Sequence, residues 1–230
     1  MRPILTALAF AATLAGAKAS AENATVVELY TSQGCSSCPP ADEILKDIAK
    51  QPGVIALALH VDYWDYLGWK DDLASPAYTQ RQHSYARAAG TATVYTPQMV
   101  FGGVDHVVGS RATEIMGQLM NHTSNNDQVD ITLSRSGSQL QINATAGNLR
   151  DNLVVQLVRY EPSVTREIRR GENAGRTITY ANVVTSWDAI GEWRTNAPLA
   201  MTANISGNQP VVVIMQDGTS GPIIGAAQLR

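Results

Sequence analysis

The sequence predicts an α/β N-terminal half, a mixed sheet flanked by helices, followed by an all-β, sandwich-like C-terminal half. Three observations lead there. From Thr25 to about Thr123, apolar runs alternate with segments of helical period. A polar stretch, Thr123-Ser124-Asn125-Asn126-Asp127, then interrupts the pattern as a linker does. Beyond it the period changes to two. The 230 residues suit one large domain or two small ones, at about 100–150 residues each. The boundaries expected are 22–124 and 127–230.

In the first half, Val26 to Tyr30 is a β-branched, apolar run ahead of a Gly-containing turn, and predicts a buried strand. Pro39 to Lys50 predicts a helix, with Ile44, Leu45, Ile48 and Ala49 on one face and two prolines in the first turn, where proline is tolerated. Val54 to Val61 is a second strand. Ser75 to Ala89 is a second helix, capped by Ser75 with Pro76 at its first position. Gln98–Phe101 and His106–Val108 are short strands around Gly102-Gly103, and Arg111 to His122 closes the half as a helix. The order β-α-β-α-β-β-α implies a mixed sheet with helices on its faces.

In the second half, Val129, Ile131 and Leu133 alternate with polar residues, as do Leu140, Ile142 and Ala144, with Ser136-Gly137-Ser138 as the turn between. Further strand runs lie at Leu153–Val158, Thr177–Val184, Leu199–Ile205, Val211–Met215 and Ile223–Leu229. Short strands divided by Gly, Asn and Pro turns over about 100 residues suggest a sandwich. This half shows no convergent catalytic set.

Composition narrows the function. With 44% hydrophobic residues the chain has material for cores, so a disordered chain is excluded. Lys and Arg total 17 against 20 Asp and Glu, which leaves no basic excess for nucleic acid. Met1-Arg2-Pro3, the apolar run Ile4–Gly16 and the small residues around Ala19 and Ala21 have the three-part layout of a secretory signal over residues 1–21. The run is too short to span a bilayer, which needs about 20 residues. Cleavage after Ala21 would leave 15 basic and 20 acidic residues, a net charge of −5. The expected product is periplasmic or secreted, with no membrane span, in a compartment where disulfides persist.

The two cysteines, Cys35 and Cys38, are too few for a disulfide framework or a four-thiolate zinc site. As a structural staple the pair closes too short a loop to restrict the unfolded chain much. Its expected position, after a strand and at the opening of a helix, favours a thiolate on Cys35 through backbone N–H groups and the helix dipole. Cys38 lies one turn further in, within reach of a mixed disulfide on Cys35. An exported CxxC between strand and helix points to redox exchange.

The segment Val27-Glu28-Leu29-Tyr30-Thr31-Ser32-Gln33-Gly34-Cys35-Ser36-Ser37-Cys38 resembles the active-site strand and turn of the thioredoxin superfamily, nearest in style to glutaredoxins. Tyr95-Thr96-Pro97-Gln98-Met99-Val100-Phe101-Gly102-Gly103 resembles the glutaredoxin segment in which a cis-proline precedes a strand. The resemblance implies a thioredoxin-like fold from Thr25 to Thr123, with Pro97 cis and facing the cysteines. Thr96 would then offer backbone groups to an extended peptide or to glutathione. The segment after Gly103 lacks the acidic pair with which glutaredoxins hold glutathione, so that ligand has no support. The Ser36-Ser37 dipeptide differs from the pairs typical of thioredoxins and strong oxidases, which leaves the direction of exchange open. Glu28 is not assigned a proton-transfer role; a strand residue in an ion pair serves equally well. The whole chain is also similar to a family of secreted bacterial proteins without an assigned function. That likeness rests on Thr31–Asp42, His60–Trp69 and Arg170–Arg176.

Three further groups complete the reading. Tyr63, Trp64, Tyr66 and Trp69 concentrate in one loop of a chain with 6% aromatics. If the first two strands are parallel neighbours, this loop emerges beside the CxxC, since ligands bind at the carboxyl ends of parallel strands. The rings, with Trp64 and Tyr66 foremost, either form a platform for an extended peptide or pack the loop onto the second helix. His60, Asp62, His83 and His106 follow no short ligand spacing, and no metal or cofactor is expected. Arg166, Arg169, Arg170 and Arg176 read as a solvated hairpin with Glu167 and Glu172 as partners, ahead of an anion-docking one.

The expected function is an exported thiol–disulfide oxidoreductase. Cys35, the more exposed thiol, attacks a substrate disulfide, Cys38 resolves it, and Thr96 and Pro97 align the partner. Its partners would be protein thiols or disulfides, or a redox partner protein. The alternatives are a non-catalytic partner-binding module on the same fold and a copper(I)-handling protein.

Overall fold

The computed structural model describes residues 18–20, 24–123, 129–147 and 152–230. The apolar run Ile4–Gly16, the expected cleavage point at Ala21 and linker residues 124–127 lie outside them. The chain forms β1 (Lys18–Ser20), β2 (Thr25–Thr31), α1 (Pro39–Ile48), β3 (Val54–His60), a 3-10 turn (Asp65–Leu67) and α2 (Pro76–Ala88). There follow β4 (Gln98–Phe101), β5 (Asp105–Val108), α3 (Ala112–Thr123), β6 (Val129–Ser136), β7 (Gln139–Ala146) and β8 (Asn152–Glu167). The chain ends in β9 (Thr177–Arg194), β10 (Leu199–Asn204), β11 (Val211–Asp217) and β12 (Ile223–Leu229).

The fold is mixed α/β, with one large mixed sheet and a second, antiparallel sheet. The large sheet has the order β12-β11-β8-β9-β3-β2-β4-β5 and the small one β1-β6-β7-β10. β2 and β3 are parallel, in register from Thr25 opposite Val54 to Thr31 opposite His60. Every residue of both strands is buried, which explains why they read as continuous apolar runs and not as alternation. α1 and α3 cover one face, packing Leu45, Ile48, Ile115 and Leu119 on Val27, Leu29, Ala56 and Phe101. α2 covers the other, with Tyr78 and Tyr85 against Tyr30, Leu57 and Leu59. Its Ser75 cap accepts from the Ala77 N–H at 3.3 Å.

The large sheet does not stop at the linker. β9 joins β3 in parallel through Ala58 opposite Val183, so strands from both halves share one sheet. β6, β7 and β10 then close over the far end of that sheet, burying Ile131, Leu133, Leu140 and Ile142 against Leu153, Val155, Val213 and Met215. β8 and β9 are much longer than the apolar runs that seeded them, 16 and 18 residues. Past Tyr160 they continue as a hairpin held by backbone pairing, from Ser163 opposite Ala181 to Glu167 opposite Thr177.

One ion pair spans these layers. Glu28 on β2 is fully buried and takes the Arg81 guanidinium of α2 at both oxygens, 2.7 and 2.8 Å. Tyr30 and Tyr85 donate their hydroxyls to the same carboxylate at 2.9 and 2.6 Å. Arg81 also reaches the Gln216 side chain of β11 and the Thr219 carbonyl, and lies 3.7 Å over the Trp187 ring of β9. Removing one partner of a buried pair strands the other charge. Glu28→Ala is therefore expected to lower unfolding stability by about 3–5 kcal/mol, read as a lower urea midpoint. Glu28→Leu combined with Arg81→Met should recover part of that loss. An unchanged midpoint for Glu28→Ala would show that the pair does not hold the layers together.

Candidate functional site

Cys35 and Cys38 are joined as a disulfide with their Cα atoms 5.4 Å apart. β2 ends at Thr31, the turn Ser32-Gln33-Gly34 follows, and Cys38 is the N-cap of α1. The Cys38 N–H donates to the Cys35 carbonyl at 3.2 Å, and the Ala41 N–H to the Cys38 carbonyl at 2.8 Å. Ser36 and Ser37 are exposed, whereas Cys38 is fully buried and Cys35 only 3% exposed. Cys35 is thus the less buried residue of the pair by a narrow margin.

The Thr96–Pro97 peptide bond is cis. Pro97 is buried beside the first turn of α1. A Cβ built on Gly109 would stand 3.0 Å from Pro97 Cβ and 3.1 Å from Ala41 Cβ. Trp64 links this segment to the cysteine turn. Its indole N–H donates to Thr96 Oγ1 at 2.7 Å, while its Cβ would lie 3.2 Å from a Cβ on Gly34. The structure therefore gathers Cys35, Cys38, Thr96, Pro97 and Trp64. Tyr66 stacks on Trp64, centroids 6.2 Å apart, and is 76% exposed. The other two rings of the loop are tied inward, Tyr63 to Gln82 at 3.2 Å and Trp69 to Gln33 at 2.7 Å. The loop thus divides: Tyr63 and Trp69 pack it down, and Tyr66 faces solvent.

Below the turn lies a buried polar cluster. The Gln33 N–H and side-chain amide both donate to Asp71 at 2.8 Å, and His60 Nδ1 lies 2.7 Å from the same carboxylate. Burial works to raise Asp71, but the His60 ring, its hydrogen bond and the Gln33 and Leu73 N–H groups hold it below the usual carboxylate value. An ionised Asp71 can only accept, so His60 Nδ1 carries the proton between them. Asp42 sits four residues after Cys38 on α1, where i and i+4 share a face. It accepts from Thr31 Oγ1 at 2.8 Å. Burial pushes its carboxyl up to about 7, against the lowering influence of His60, Thr31 and Lys46. Asp42 Oδ2, His60 Nε2 and the Tyr180 hydroxyl are buried without a hydrogen-bond partner among the described residues.

The family model described as "Protein of unknown function (DUF1223)" matches residues 26–216. The chain belongs to this family. A crystal structure of a protein from Agrobacterium tumefaciens is similar at 32% identity, over 90% of this chain and 95% of that one, with a TM-score of 0.78. HBP35 of Porphyromonas gingivalis shares the fold at 14% identity, over 91% of this chain and 76% of that one, with a TM-score of 0.59. No curated protein matches the chain.

The span matched by the family model takes in both cysteines, the cis-proline and the hairpin between β8 and β9. The hairpin's Arg169, Arg170 and Arg176 are exposed and Arg169 pairs with Glu167 at 3.2 Å, as expected of a solvated turn, but the tip is not solvated throughout. Asn173 at its tip is 1% exposed, and its Nδ2 donates to the Gln33 and Cys35 carbonyls at 2.9 Å each. Sequence reasoning also missed Asp42. The usable signal was its spacing from Cys38, which puts an acid one helical turn behind the pair. His106 lies apart from His60, against the Tyr85 ring, and burial lowers it. Among the described residues, no three His, Cys, Asp or Glu side chains are grouped to hold a metal, and no helix is long and apolar enough to cross a membrane.

The Asp42 proton makes stability depend on pH. Its folded value lies above that of the unfolded chain, so this contribution is present at acid pH and is lost as pH rises from about 4 through 7. Asp42→Asn keeps the acceptor for Thr31 and removes the charge. The expected outcome is that the melting temperature of the wild-type protein falls more steeply between about pH 5 and pH 8 than that of Asp42→Asn, by an amount worth a few kcal/mol at most. Parallel curves would refute it.

Proposed function

We propose that this protein is an exported thiol–disulfide oxidoreductase of thioredoxin-like design. The observation that carries the reading is the Cys35–Cys38 pair, closed between the end of β2 and the N-terminus of α1, with the cis Thr96–Pro97 bond beside that helix's first turn. The parallel β2–β3 pair and the α1 crossover that frame it agree with the resemblance to thioredoxins and glutaredoxins seen in the sequence.

In the reducing direction, the Cys35 thiolate attacks a substrate disulfide. A bond forms between Cys35 Sγ and one substrate sulfur, and the other leaves with the electron pair and takes up a proton. Cys38 then attacks Cys35 Sγ, which restores the protein disulfide and frees the second substrate thiol. Two electrons pass from the dithiol to the substrate. The helix N-terminus lowers the cost of the Cys35 thiolate. Cys38 is buried, and Asp42, on the face of α1 that follows it, is the acceptor for its proton. Run backwards, the same steps donate a disulfide. Thr96 and Pro97 align an extended partner, with Trp64 holding Thr96 in place and Tyr66 as the exposed ring. Protein thiols, protein disulfides or a redox partner protein are the substrates this site fits.

The burial of Cys35 favours a second reading, a partner-binding module whose disulfide is rarely cycled. Exchange kinetics separate the two. Equilibrated in glutathione buffers, an oxidoreductase reaches a stable dithiol fraction within minutes, and reduced Cys35 titrates below the free thiol value of about 8.5. Cys38→Ser should accumulate mixed disulfides on Cys35 that identify the partners. A pair that stays oxidised throughout, with Cys35 inert to alkylation after reduction, would favour the binding module.

The export reading assigns residues 1–21 to a cleaved signal and the product to the periplasm or the medium. Cleavage after Ala21 removes β1 and leaves β6 as the edge of the small sheet. The intact mass of the protein recovered outside the cytoplasm should correspond to a chain starting at Glu22. A full-length chain retained in the cytoplasm would contradict it.

A further inference from the structure

The motif Arg170-Gly171-Glu172-Asn173-Ala174-Gly175-Arg176 is 135 or more residues from Cys35 in sequence, yet it sits on the disulfide turn. The hairpin tip is closed by its own backbone: Ile168 N–H donates to the Arg176 carbonyl at 2.9 Å and Gly175 N–H to the Ile168 carbonyl at 2.8 Å. Gly171, at φ +74°, lies on Trp69; a Cβ there would stand 3.2 Å from Trp69 Cβ. Arg166, at the base, takes Asp72 through Nε at 2.8 Å. Two consecutive tip residues then engage the cysteine turn. Glu172 accepts from the Ser36 N–H at 3.3 Å, and Asn173 spends both amide hydrogens on the Gln33 and Cys35 carbonyls. Asn173 Oδ1 has no hydrogen-bond partner among the described residues, although the side chain is buried.

An amide that binds two carbonyls of a three-residue stretch fixes the peptide planes between them, and with them the direction of the Cys35 Cα–Cβ bond. These bonds are made in the form in which the two sulfurs are joined. An interaction present in one form and weaker in another shifts the equilibrium by the difference. Cys35, whose carbonyl Asn173 binds, is 3% exposed.

We propose that the tip of the β8–β9 hairpin is part of the redox site, and that Asn173 is a positioning residue for Cys35. It holds the Gln33–Cys35 backbone in the disulfide conformation and keeps the Cys35 sulfur covered. The C-terminal half thereby sets how readily the pair is reduced and how easily it is reached. The inference rests on the oxidoreductase reading, since it concerns the exchange that this reading assigns to Cys35.

The test uses the full protein in glutathione buffers. There, two glutathione thiols give two electrons and two protons to the disulfide and leave as glutathione disulfide. Oxidised fraction at equilibrium and the pH profile of Cys35 alkylation by iodoacetamide are measured for wild type, Asn173→Ala, Asn173→Ser and Thr202→Ala, an exposed control on β10. Asn173→Ala is expected to shift the equilibrium about fivefold toward the dithiol and to speed alkylation about tenfold, as loss of two buried hydrogen bonds and of cover implies. Asn173→Ser, with a single donor, should move both in the same direction by less, and Thr202→Ala should move neither. Circular dichroism checks folding, and the serine variant decides if the alanine variant does not fold. A wild type that exchanges with glutathione beside a folded variant with unaltered equilibrium and alkylation profile overturns this inference alone. A wild type that never exchanges overturns the oxidoreductase reading and this inference with it.

Discussion

The buried pairing of Glu28 with Arg81 is the constraint on which the arrangement of the two halves depends. A carboxylate in the centre of a sheet is tolerated only with a cation and further donors, and Glu28 has both in Arg81 and the hydroxyls of Tyr30 and Tyr85. Burial first, and the neighbouring carboxylate next, hold both tyrosines well above their ordinary titration range, so they remain donors. Arg81 in turn cannot move without losing Gln216, the Thr219 carbonyl and the face of Trp187. The helix α2 is therefore fixed against β2 on one side and against strands of the C-terminal half on the other. With β9 paired to β3, this leaves one orientation for the long β8–β9 hairpin. Its tip arrives at the opposite end of β2, where the disulfide is.

The cysteine turn is thus built from three directions. β2 and α1 supply the sulfurs, the Trp64 loop and the cis-proline segment bound one side, and the hairpin covers another. The polar cluster beneath is assembled in the same way. Thr31 and His60 are register partners on adjacent strands, Asp42 comes from α1, Asp71 from the loop before α2, and Tyr180 from β9. His60 and Tyr180 meet edge to face with centroids 4.6 Å apart. Each brings a buried atom with no hydrogen-bond partner among the described residues, an arrangement that costs stability when it is left unpaired. A carboxyl whose titration falls near neutrality suits that place, because it can supply a donor and later withdraw it.

How much of this was legible follows from what kind of force placed each residue. Strands and helices of the first half were readable because burial on both faces writes itself into sequence as apolar runs and caps, as at Val54–His60 and Ser75. The CxxC was readable as a local spacing, and the cis Pro97 only through the resemblance of Tyr95–Gly103 to the glutaredoxin segment. The extensions of β8 and β9 past the predicted runs were not, since residues 161–167 and 185–194 are mostly part-exposed and held by backbone pairing that carries little side-chain pattern. For the same reason the continuity of the sheet through β3 and β9 left no mark; it rests on one register pair and on Asn182, whose backbone turns to φ +47° while its side chain donates to the Ala56 carbonyl. Asn173 was hidden by its company. Four arginines nearby gave the segment the composition of a solvated turn, and only its distant target explains an asparagine at the centre.

The position of that target bears on why the C-terminal half belongs to the site and not merely to the scaffold. A disulfide turn at a sheet end exposes the carbonyls of its own tight bend. Besides the Cys38 N–H on the Cys35 carbonyl at 3.2 Å, the Gln33 and Cys35 carbonyls draw a donor from outside β2 and α1. Cys35 and Gln33 obtain theirs from Asn173, 138 and 140 residues away. The donors come on a hairpin whose base is tied to Asp72, beside the Asp71 that anchors Gln33. A shift of the hairpin would disturb the cysteine turn through its carbonyls and, through Asp72, the loop that holds His60. The cysteine turn and the polar cluster beneath it therefore share one mechanical support, contributed by a strand pair that the first half lacks.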